Sequence, residues 1–204
     1  MSKVLVFDTE TLGGAPHGIV ASCAFLAVDF DVDYTFDQLV EMAMLIKFDV
    51  KDQKARGRQM TPDVMAWWKK QSKEAQDKLR PSSDDVDMIA GLKEIAQYCK
   101  QHGITKNSYG FCRGQSFDFP LVVDMYTTAG MIEHWPIAFW RQRDTRTWIA
   151  SALGKIDIDK VPLPAIVFNE KNFCAHDPCH DIARDVLMMQ YAQKYACGEV
   201  EFPG

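Results

Sequence analysis

Residues Lys3 to Asp8 read KVLVFD, and this short apolar run, rich in residues that favour strands, predicts a buried β-strand. The segment Thr11 to Pro16 (TLGGAP) has the composition of a turn. The apolar stretches Gly18 to Asp31 and Leu39 to Phe48 predict the second and third strands. Three successive strands with no helix between them predict an antiparallel meander.

From residue 61 onward the apolar residues recur with helical spacing. Thr61-Pro62-Asp63 predicts a helix start, because proline is well suited to the first helical position. Further helices are predicted at Ser72, over Ser83–His102, from Phe119-Pro120 to Gly130, after Asp144 and over His180–Ala196, and further strands over Ser108–Cys112 and Ile137–Asp144. This order predicts an α/β fold whose sheet has mixed strand directions, in one domain over residues 1–204.

Composition excludes several classes of protein. No run approaches the roughly 18 apolar residues of a membrane span, and the first ten residues do not resemble a signal peptide, so a cytoplasmic protein is expected. Six cysteines follow no disulfide-scaffold spacing. The formal net charge of −5 argues against a protein that coats nucleic acid, but not against an enzyme that holds one strand end. No membrane and no organic cofactor are expected.

Asp8 and Glu10 form a D-x-E pair at the end of the first predicted strand. Residues two apart on a strand point to the same face, so both carboxylates project to one side. Adjacent carboxylates repel each other unless a cation lies between them. The pair therefore indicates a candidate metal site, with a solvated strand end as the alternative.

Two further segments carry candidate ligands. Asp118 lies in SFDFP, directly after a predicted strand and before a predicted helix, where a carboxylate can either cap the helix or reach the ions held by the first pair. His180 and Asp185 form an H-x4-D pair near the C-terminus. They converge only if His180 lies in the loop before the last helix, since five helical residues turn about 140°. A structural histidine is the alternative.

Together these motifs resemble the DEDDh superfamily of 3′–5′ exonucleases, and within it the exonuclease A group of T-even-type phages. The resembling blocks are FDTETLG (7–13), AWWKKQS (66–72), FCRGQSFDFP (111–120), FWRQRDTRT (139–147) and AHDPCHDIARDVLMMQYA (175–192). The resemblance implies a ribonuclease-H-like fold around a mixed five-stranded sheet flanked by helices. It also implies a host-cytoplasmic location if a phage encodes the chain. One departure is Ile182, where the superfamily often has a small residue two positions after the histidine.

The resemblance assigns a chemistry to these residues. Asp8, Glu10, Asp118 and Asp185 are expected to hold two divalent ions, which would activate water and stabilise the leaving 3′ oxygen. Carboxylate oxygens favour Mg²⁺ or Mn²⁺. His180 is expected to act as general base, an effect typically worth about 10²–10⁴ in rate.

The expected substrate is a nucleic acid with a free single-stranded 3′ end. The phage resemblance favours DNA, and an exoribonuclease on the same scaffold is the alternative. Thr11 and Leu12 are expected to meet the terminal nucleotide, as the backbone after the first-motif glutamate does in the superfamily. Trp67 and Trp68 are adjacent, so one is expected in the core and one on a base; Trp68 is the candidate for substrate binding.

Three alternatives remain open in the sequence. The cluster Cys174, His176, Cys179 and His180 contains ligands eligible for zinc, although four ligands in so short a loop are hard to close into a tetrahedron. Asp181 is a possible substitute metal ligand or a plain first-turn acid. A non-catalytic nucleic-acid-binding module is the alternative from another class, but such proteins typically lose a metal carboxylate, and all are present here.

Overall fold

A computed structural model of the chain describes residues 3–203, and its centre is a five-stranded mixed sheet. The strands are β1 Val4–Thr11, β2 Val20–Val28, β3 Met44–Lys47, β4 Gly110–Cys112 and β5 Gln142–Asp144. They lie in the order β3-β2-β1-β4-β5. Strands β1, β2 and β3 are antiparallel neighbours, whereas β4 is parallel to β1 and β5 is parallel to β4. The predicted α/β class and the antiparallel pairing of the first three strands are confirmed, although a helix lies between β2 and β3.

Eight α-helices accompany this sheet within the described residues. They are α1 Phe36–Met42, α2 Val50–Ala55, α3 Pro62–Trp68, α4 Lys73–Lys78, α5 Met88–Gln101, α6 Gln115–Thr128, α7 Thr145–Leu153 and α8 Pro178–Ala196. Short 3-10 segments occupy Ile132–His134, Phe139–Arg141 and Glu170–Asn172. Over residues 3–203, none of the helices combines the length and apolarity that crossing a bilayer requires.

The two faces of β1 enter different cores, as expected from the alternation of side chains along a strand. Leu5 and Phe7 are fully buried in the core that includes residues of α5 and α6. Val4 and Val6 are buried in the second core, to which α7 and α8 contribute. Asp8 and Glu10 follow Val4 and Val6 at intervals of two residues, so their carboxylates lie on this second face at the end of β1. Helix α8 therefore packs beside the predicted D-x-E pair.

The predicted third strand, Leu39 to Phe48, is wrong over its first half, where α1 lies instead. Thr35 caps this helix in a capping box, because its side chain accepts from the Gln38 backbone while the Gln38 side chain accepts from the Thr35 backbone. Phe36 and Leu39 are buried in the second core. Strand β3 begins only at Met44.

Three other elements have boundaries that differ from the predicted ones. Strand β5 is shorter than the predicted Ile137–Asp144, because a 3-10 turn occupies Phe139–Arg141. Helix α6 starts four residues before Phe119, which places Asp118 inside its first turns. Helix α8 starts two residues before His180, because Asp177 caps it by accepting from the Cys179 N–H and Pro178 takes the first helical position.

Candidate active site

An acidic cleft of about 620 Å³ opens at the carboxyl ends of β1 and β4. This is the edge where ligands bind in open α/β sheets, because the loops that follow the parallel strands diverge there. Its lining includes six acidic residues from separate parts of the chain: Asp8, Glu10, Asp63, Asp118, Asp181 and Asp185. Its basic and aromatic lining includes Trp67, Trp68, Arg113, Arg146, His176 and Arg184.

Asp8 and Glu10 lie on the same face of β1, as predicted. Burial is the main reason that the pKa of each carboxyl is raised well above its usual value. The neighbouring carboxylates add to this effect: Asp118 is the largest contributor to the rise at Asp8, and Asp181 at Glu10. Like charges that are held together out of water favour protonation or a bound cation.

Asp118 joins this pair from α6, also as predicted. Its Oδ1 accepts hydrogen bonds from the Thr9 backbone N–H at 3.1 Å and from the Thr9 hydroxyl at 2.5 Å. Thr9 is the residue between Asp8 and Glu10, so these two bonds tie the helix to the strand that carries the D-x-E pair. Burial raises the pKa of Asp118 to about 7, although the bonds from Thr9 oppose the rise.

Asp185 reaches the cleft, but both of its oxygens are already engaged. Its Oδ1 accepts from Arg113 Nε at 2.9 Å, and its Oδ2 accepts from the Thr145 hydroxyl at 3.0 Å. Only 6% of the Asp185 side chain is exposed, whereas the Arg113 side chain is 16% exposed, so the pair is partly shielded from water. Burial raises the pKa of Asp185, and Arg113 opposes that rise. The positive charge of Arg113 therefore balances the negative charge of the Asp185 carboxylate.

His180 does not line the cleft, and its predicted placement there is corrected. Its ring packs edge-on against Phe36 at 5.2 Å and lies 6.2 Å from Phe173, in the second core. Its Nδ1 accepts a hydrogen bond from the Cys174 backbone N–H at 3.0 Å. The reason is the early start of α8, which puts His180 inside the first turn of the helix and not in the loop before it.

His176 occupies the place predicted for His180, in the loop directly before α8. Its backbone has a φ of 63°, a left-handed conformation that is uncommon outside glycine and that structures tolerate mainly at constrained sites. Its N–H donates to Asp181 Oδ2 at 2.9 Å. Ligand atoms of Glu10, His176 and Asp181 all lie within 4.8 Å of one another, which is close enough to share a metal ion.

The surroundings of His176 affect its protonation. Its Nδ1 lies 4.0 Å from Glu10 Oε1. Burial lowers the pKa of His176, and the positive charge of Arg184 lowers it further. Arg184 donates from Nη2 to Asp181 Oδ1 at 2.8 Å, and burial raises the pKa of Asp181 to about 6 despite this partner. A lowered pKa favours the neutral imidazole, which is the form that can accept a proton.

One of the two adjacent tryptophans is buried and the other is exposed, as expected, but the exposed one is Trp67 and not Trp68. Trp68 is buried, and its indole N–H donates to the Thr11 carbonyl at 2.7 Å. Trp67 is 43% exposed at the cleft, with its ring 4.8 Å from the His176 ring and nearly perpendicular to it. Trp67 is therefore the ring that can stack on a base, and the expectation for Trp68 is corrected.

Of the two residues whose backbone was expected to contact the substrate, only one lines the cleft. Thr11 lines the cleft, at the end of β1. Leu12 does not, and both its backbone groups are used: its N–H donates to the Ile19 carbonyl, and its carbonyl accepts from the Thr61 N–H. Of this pair, the structure leaves only Thr11 at the surface of the cleft.

The donor set at this site fits a divalent metal ion. Buried carboxylates with raised pKa values lie together, and the only nitrogen ligand in the group is the His176 imidazole. Oxygen-rich sets of this kind suit hard cations. Within residues 3–203, the cysteines proposed for zinc are not part of any such group, and the His180 Nδ1 is taken by a backbone N–H.

The sequence as a whole matches a known family. The model of the 3′-5′ exoribonuclease Rv2179c-like domain matches residues 3–181. The chain belongs to this family. The predicted membership in a family of 3′–5′ exonucleases is thereby confirmed.

Similar proteins agree with this assignment. The exodeoxyribonuclease of Enterobacteria phage T4 is 40% identical to this family member over 212 residues, which cover 97% of the chain and 92% of that protein. The predicted resemblance to phage exonucleases is confirmed.

Two solved structures share the fold. The E. coli exonuclease I–single-stranded DNA complex in its zinc-bound form has a TM-score of 0.56 at 14% identity, covering 96% of this chain and 42% of that one. Cell-death related nuclease 4 has a TM-score of 0.58 at 14% identity, covering 94% and 63%. The chain thus spans about two fifths of the length of the exonuclease I chain, and the ribonuclease-H-like fold is confirmed.

Proposed function

We propose that this chain, as one domain over residues 1–204, removes nucleotides hydrolytically from the 3′ end of single-stranded DNA. The observation that carries the proposal is the meeting of Glu10, His176 and Asp181 within 4.8 Å, beside Asp8 and Asp118. Four acids and one imidazole from three distant parts of the chain converge in a cleft that also contains an exposed tryptophan.

Asp8, Glu10, Asp118 and Asp181 would hold two ions of Mg²⁺ or Mn²⁺. Such ions supply activation of the attacking water and stabilisation of the leaving oxygen. This set differs from the one inferred from sequence in one member, because Asp181 replaces Asp185. A carboxylate oxygen of Asp181 lies within 4.8 Å of the ligand atoms of Glu10 and His176, whereas Asp185 is outside this group and is bonded to Arg113 and Thr145.

His176 acts as the general base in this proposal, in place of His180. A base must reach the attacking water and must be unprotonated at the working pH. His176 lies at the cleft surface beside Glu10, and burial keeps its pKa below the usual value. Its left-handed backbone and its N–H bond to Asp181 fix its position relative to the acids.

The remaining cleft residues bind and orient the strand end. The exposed face of Trp67 stacks on a base. Arg146 is exposed at the cleft and can contact a phosphate. Arg184 can do the same when an ion takes its place at Asp181.

DNA is the favoured substrate because a relative that matches along nearly the whole chain is an exodeoxyribonuclease. RNA is the second candidate, because the matching family model is described as a 3′-5′ exoribonuclease domain. The two differ at the 2′-OH, so the contacts made to the terminal sugar decide between them.

The test is cleavage of 5′-labelled DNA and RNA oligonucleotides with Mg²⁺, Mn²⁺ or EDTA. A ladder of 3′-shortened products is expected, abolished by EDTA and by Asp8→Asn. The matched control is Asp37→Asn, which alters an exposed acid of α1 and should leave the ladder unchanged. Shortening from the 5′ end, or full activity in EDTA, would contradict the proposal. Comparing the two sugars ranks DNA against RNA.

A further inference from the structure

Two neighbouring aromatic side chains outside the cleft are unusually exposed. Phe139 is 77% exposed and Trp140 is 61% exposed, and their rings lie 4.9 Å apart, nearly perpendicular. They form the 3-10 turn that precedes the edge strand β5. Adjacent exposed aromatic rings offer flat apolar faces on which a planar ligand can stack.

Positive charge surrounds this aromatic pair. The guanidinium groups of Arg141 and Arg143 lie 4.5 and 4.7 Å from the centre of the Tyr109 ring. Arg143 Nη1 also donates to the carbonyls of Trp140 and Gln142, which fixes the aromatic turn against β5. Within the described part of the chain, neither guanidinium forms an ion pair with a carboxylate.

A depression beside β5 adjoins the active cleft. It has a volume of about 640 Å³, and its lining includes Gln142, Asp144 and Arg146. Arg146 also lines the active cleft, so the two cavities are adjacent. Gln142 begins β5 directly after the aromatic turn, so the depression extends along β5 from the cleft to the end of the strand that follows this turn.

The one acid that lines this depression is held by backbone donors. Asp144 Oδ2 accepts from the backbone N–H groups of Gly114 and Gln115, and its Oδ1 accepts from that of Thr147. Burial raises the pKa of Asp144, but these bonds and the positive charge of Arg146 outweigh it and lower the pKa, so the carboxylate stays ionised. Its charge faces these donors and Arg146, which offset the repulsion that it would exert on a phosphate backbone.

We propose that Phe139 and Trp140, with Arg141, Arg143 and Arg146, form a second binding site for the single strand upstream of its 3′ end. The proposal rests on the proposed exonuclease function. Arginines neutralise phosphates, and aromatic rings stack on bases of any sequence. The site holds the part of the strand that has not yet reached the acids, so it acts only on substrates long enough to span both cavities.

The experiment compares a dinucleotide, dT2, with dT15. For wild type, kcat/KM should be higher on dT15. In the double variant Phe139→Ala/Trp140→Ala, the ratio of kcat/KM on dT15 to that on dT2 should fall about tenfold or more, as expected for lost base stacking. The conservative pair Phe139→Tyr/Trp140→Phe should keep most of the ratio. The matched control Ile156→Ala/Ile166→Ala, which alters two even more exposed apolar residues elsewhere, should keep all of it.

A binding measurement separates this inference from the proposed function. Fluorescence anisotropy of labelled dT15 in EDTA needs no cleavage, and the double alanine variant should bind about tenfold more weakly than wild type. If wild type cleaves neither oligonucleotide, the proposed function fails, and the anisotropy still decides the binding site. Equal dT15 affinity in the double variant and wild type overturns the inference and assigns the aromatic pair to another partner.

Discussion

Two overlapping H-x4-D pairs, His176-Asp181 and His180-Asp185, lie four residues apart in the chain and have different surroundings. The first pair meets Glu10 in the cleft. In the second, the histidine packs on phenylalanines and the aspartate is bonded to Arg113. The same sequence pattern therefore occurs once with its ligand atoms beside those of Glu10 and once with its histidine in the second core and its aspartate paired to Arg113.

The start of α8 explains the difference between the two histidines. Asp177 and Pro178 begin the helix, so the residue before them is left in a loop with a left-handed backbone, where its ring turns towards the cleft. His180 follows within the first helical turn and is directed into the second core. In this fold, the histidine of an H-x4-D pair reaches the cleft when the helix begins just after it and before the aspartate.

The largest expected effect separates the two histidines directly. His176→Ala should lower kcat by about 10²–10⁴-fold, as expected for loss of a general base. His180→Ala should lower the free energy of unfolding while changing kcat less than tenfold. Single-turnover assays on labelled DNA, alongside thermal unfolding, measure both. A reversal of the two results would restore His180 as the base.

The two aspartates should separate stability from metal binding. Asp185→Asn removes the charged acceptor of the Arg113 bond, and loss of a hydrogen bond to a charged group typically costs about 1.5–3 kcal/mol. Asp181→Asn should instead raise the Mn²⁺ concentration required for half-maximal activity, with little loss of stability. Urea unfolding and Mn²⁺ titrations test the contrast, which fails if Asp185→Asn has the larger effect on the Mn²⁺ requirement.

Stability without metal should depend on pH in a defined direction. Burial raises the pKa of Asp118 to about 7 and that of Asp181 to about 6, so the folded state holds more protons than the unfolded state between about pH 4 and pH 7. This stability is present in acid and is lost as the pH rises through 6–7. Without metal, Tm should therefore be at least about 3 °C higher at pH 5.5 than at pH 8.

Added Mg²⁺ or Mn²⁺ should raise Tm more at pH 8 than at pH 5.5, since the ions replace the protons. Differential scanning fluorimetry at matched ionic strength measures this. A larger metal effect in acid would show that these carboxyls are not the ligands.

The smallest effects come from a second adjacent pair, in α3. Trp67→Ala should raise KM about tenfold with a smaller change in kcat, since stacking on one base is worth about 1–3 kcal/mol. Trp68→Phe removes the bond to Thr11 and should cost about 1 kcal/mol of stability. Steady-state kinetics and urea unfolding test both, and a KM effect confined to Trp68 would return substrate contact to that residue.

Much of the fold could be predicted because its signals are local. The apolar run before Asp8 and the Thr61-Pro62 helix start both give the structure found. The D-x-E geometry follows from strand alternation alone. The prediction of a strand over Leu39–Phe48 is wrong in its first half because it rests on apolar content alone. The capping box of Thr35 and Gln38, which starts α1, precedes that segment. Local patterns therefore locate the first motif but not every boundary.

The C-terminal motif could not be assigned from spacing, because two H-x4-D pairs satisfy it. Asp177-Pro178 is a helix-start signal that would have favoured His176, since it places His180 inside the helix. The partners of Asp185 could not be read from sequence at all. Arg113 and Thr145 are 72 and 40 residues away, and only the fold brings them to that carboxylate.

The most direct test of this assignment is anomalous diffraction from crystals soaked in Mn²⁺. We predict anomalous peaks in contact with Asp8, Glu10, Asp118 and Asp181, with His176 facing them and Asp185 still bonded to Arg113. Peaks bound by Asp185, with Arg113 displaced and His180 turned towards the ions, would contradict the account.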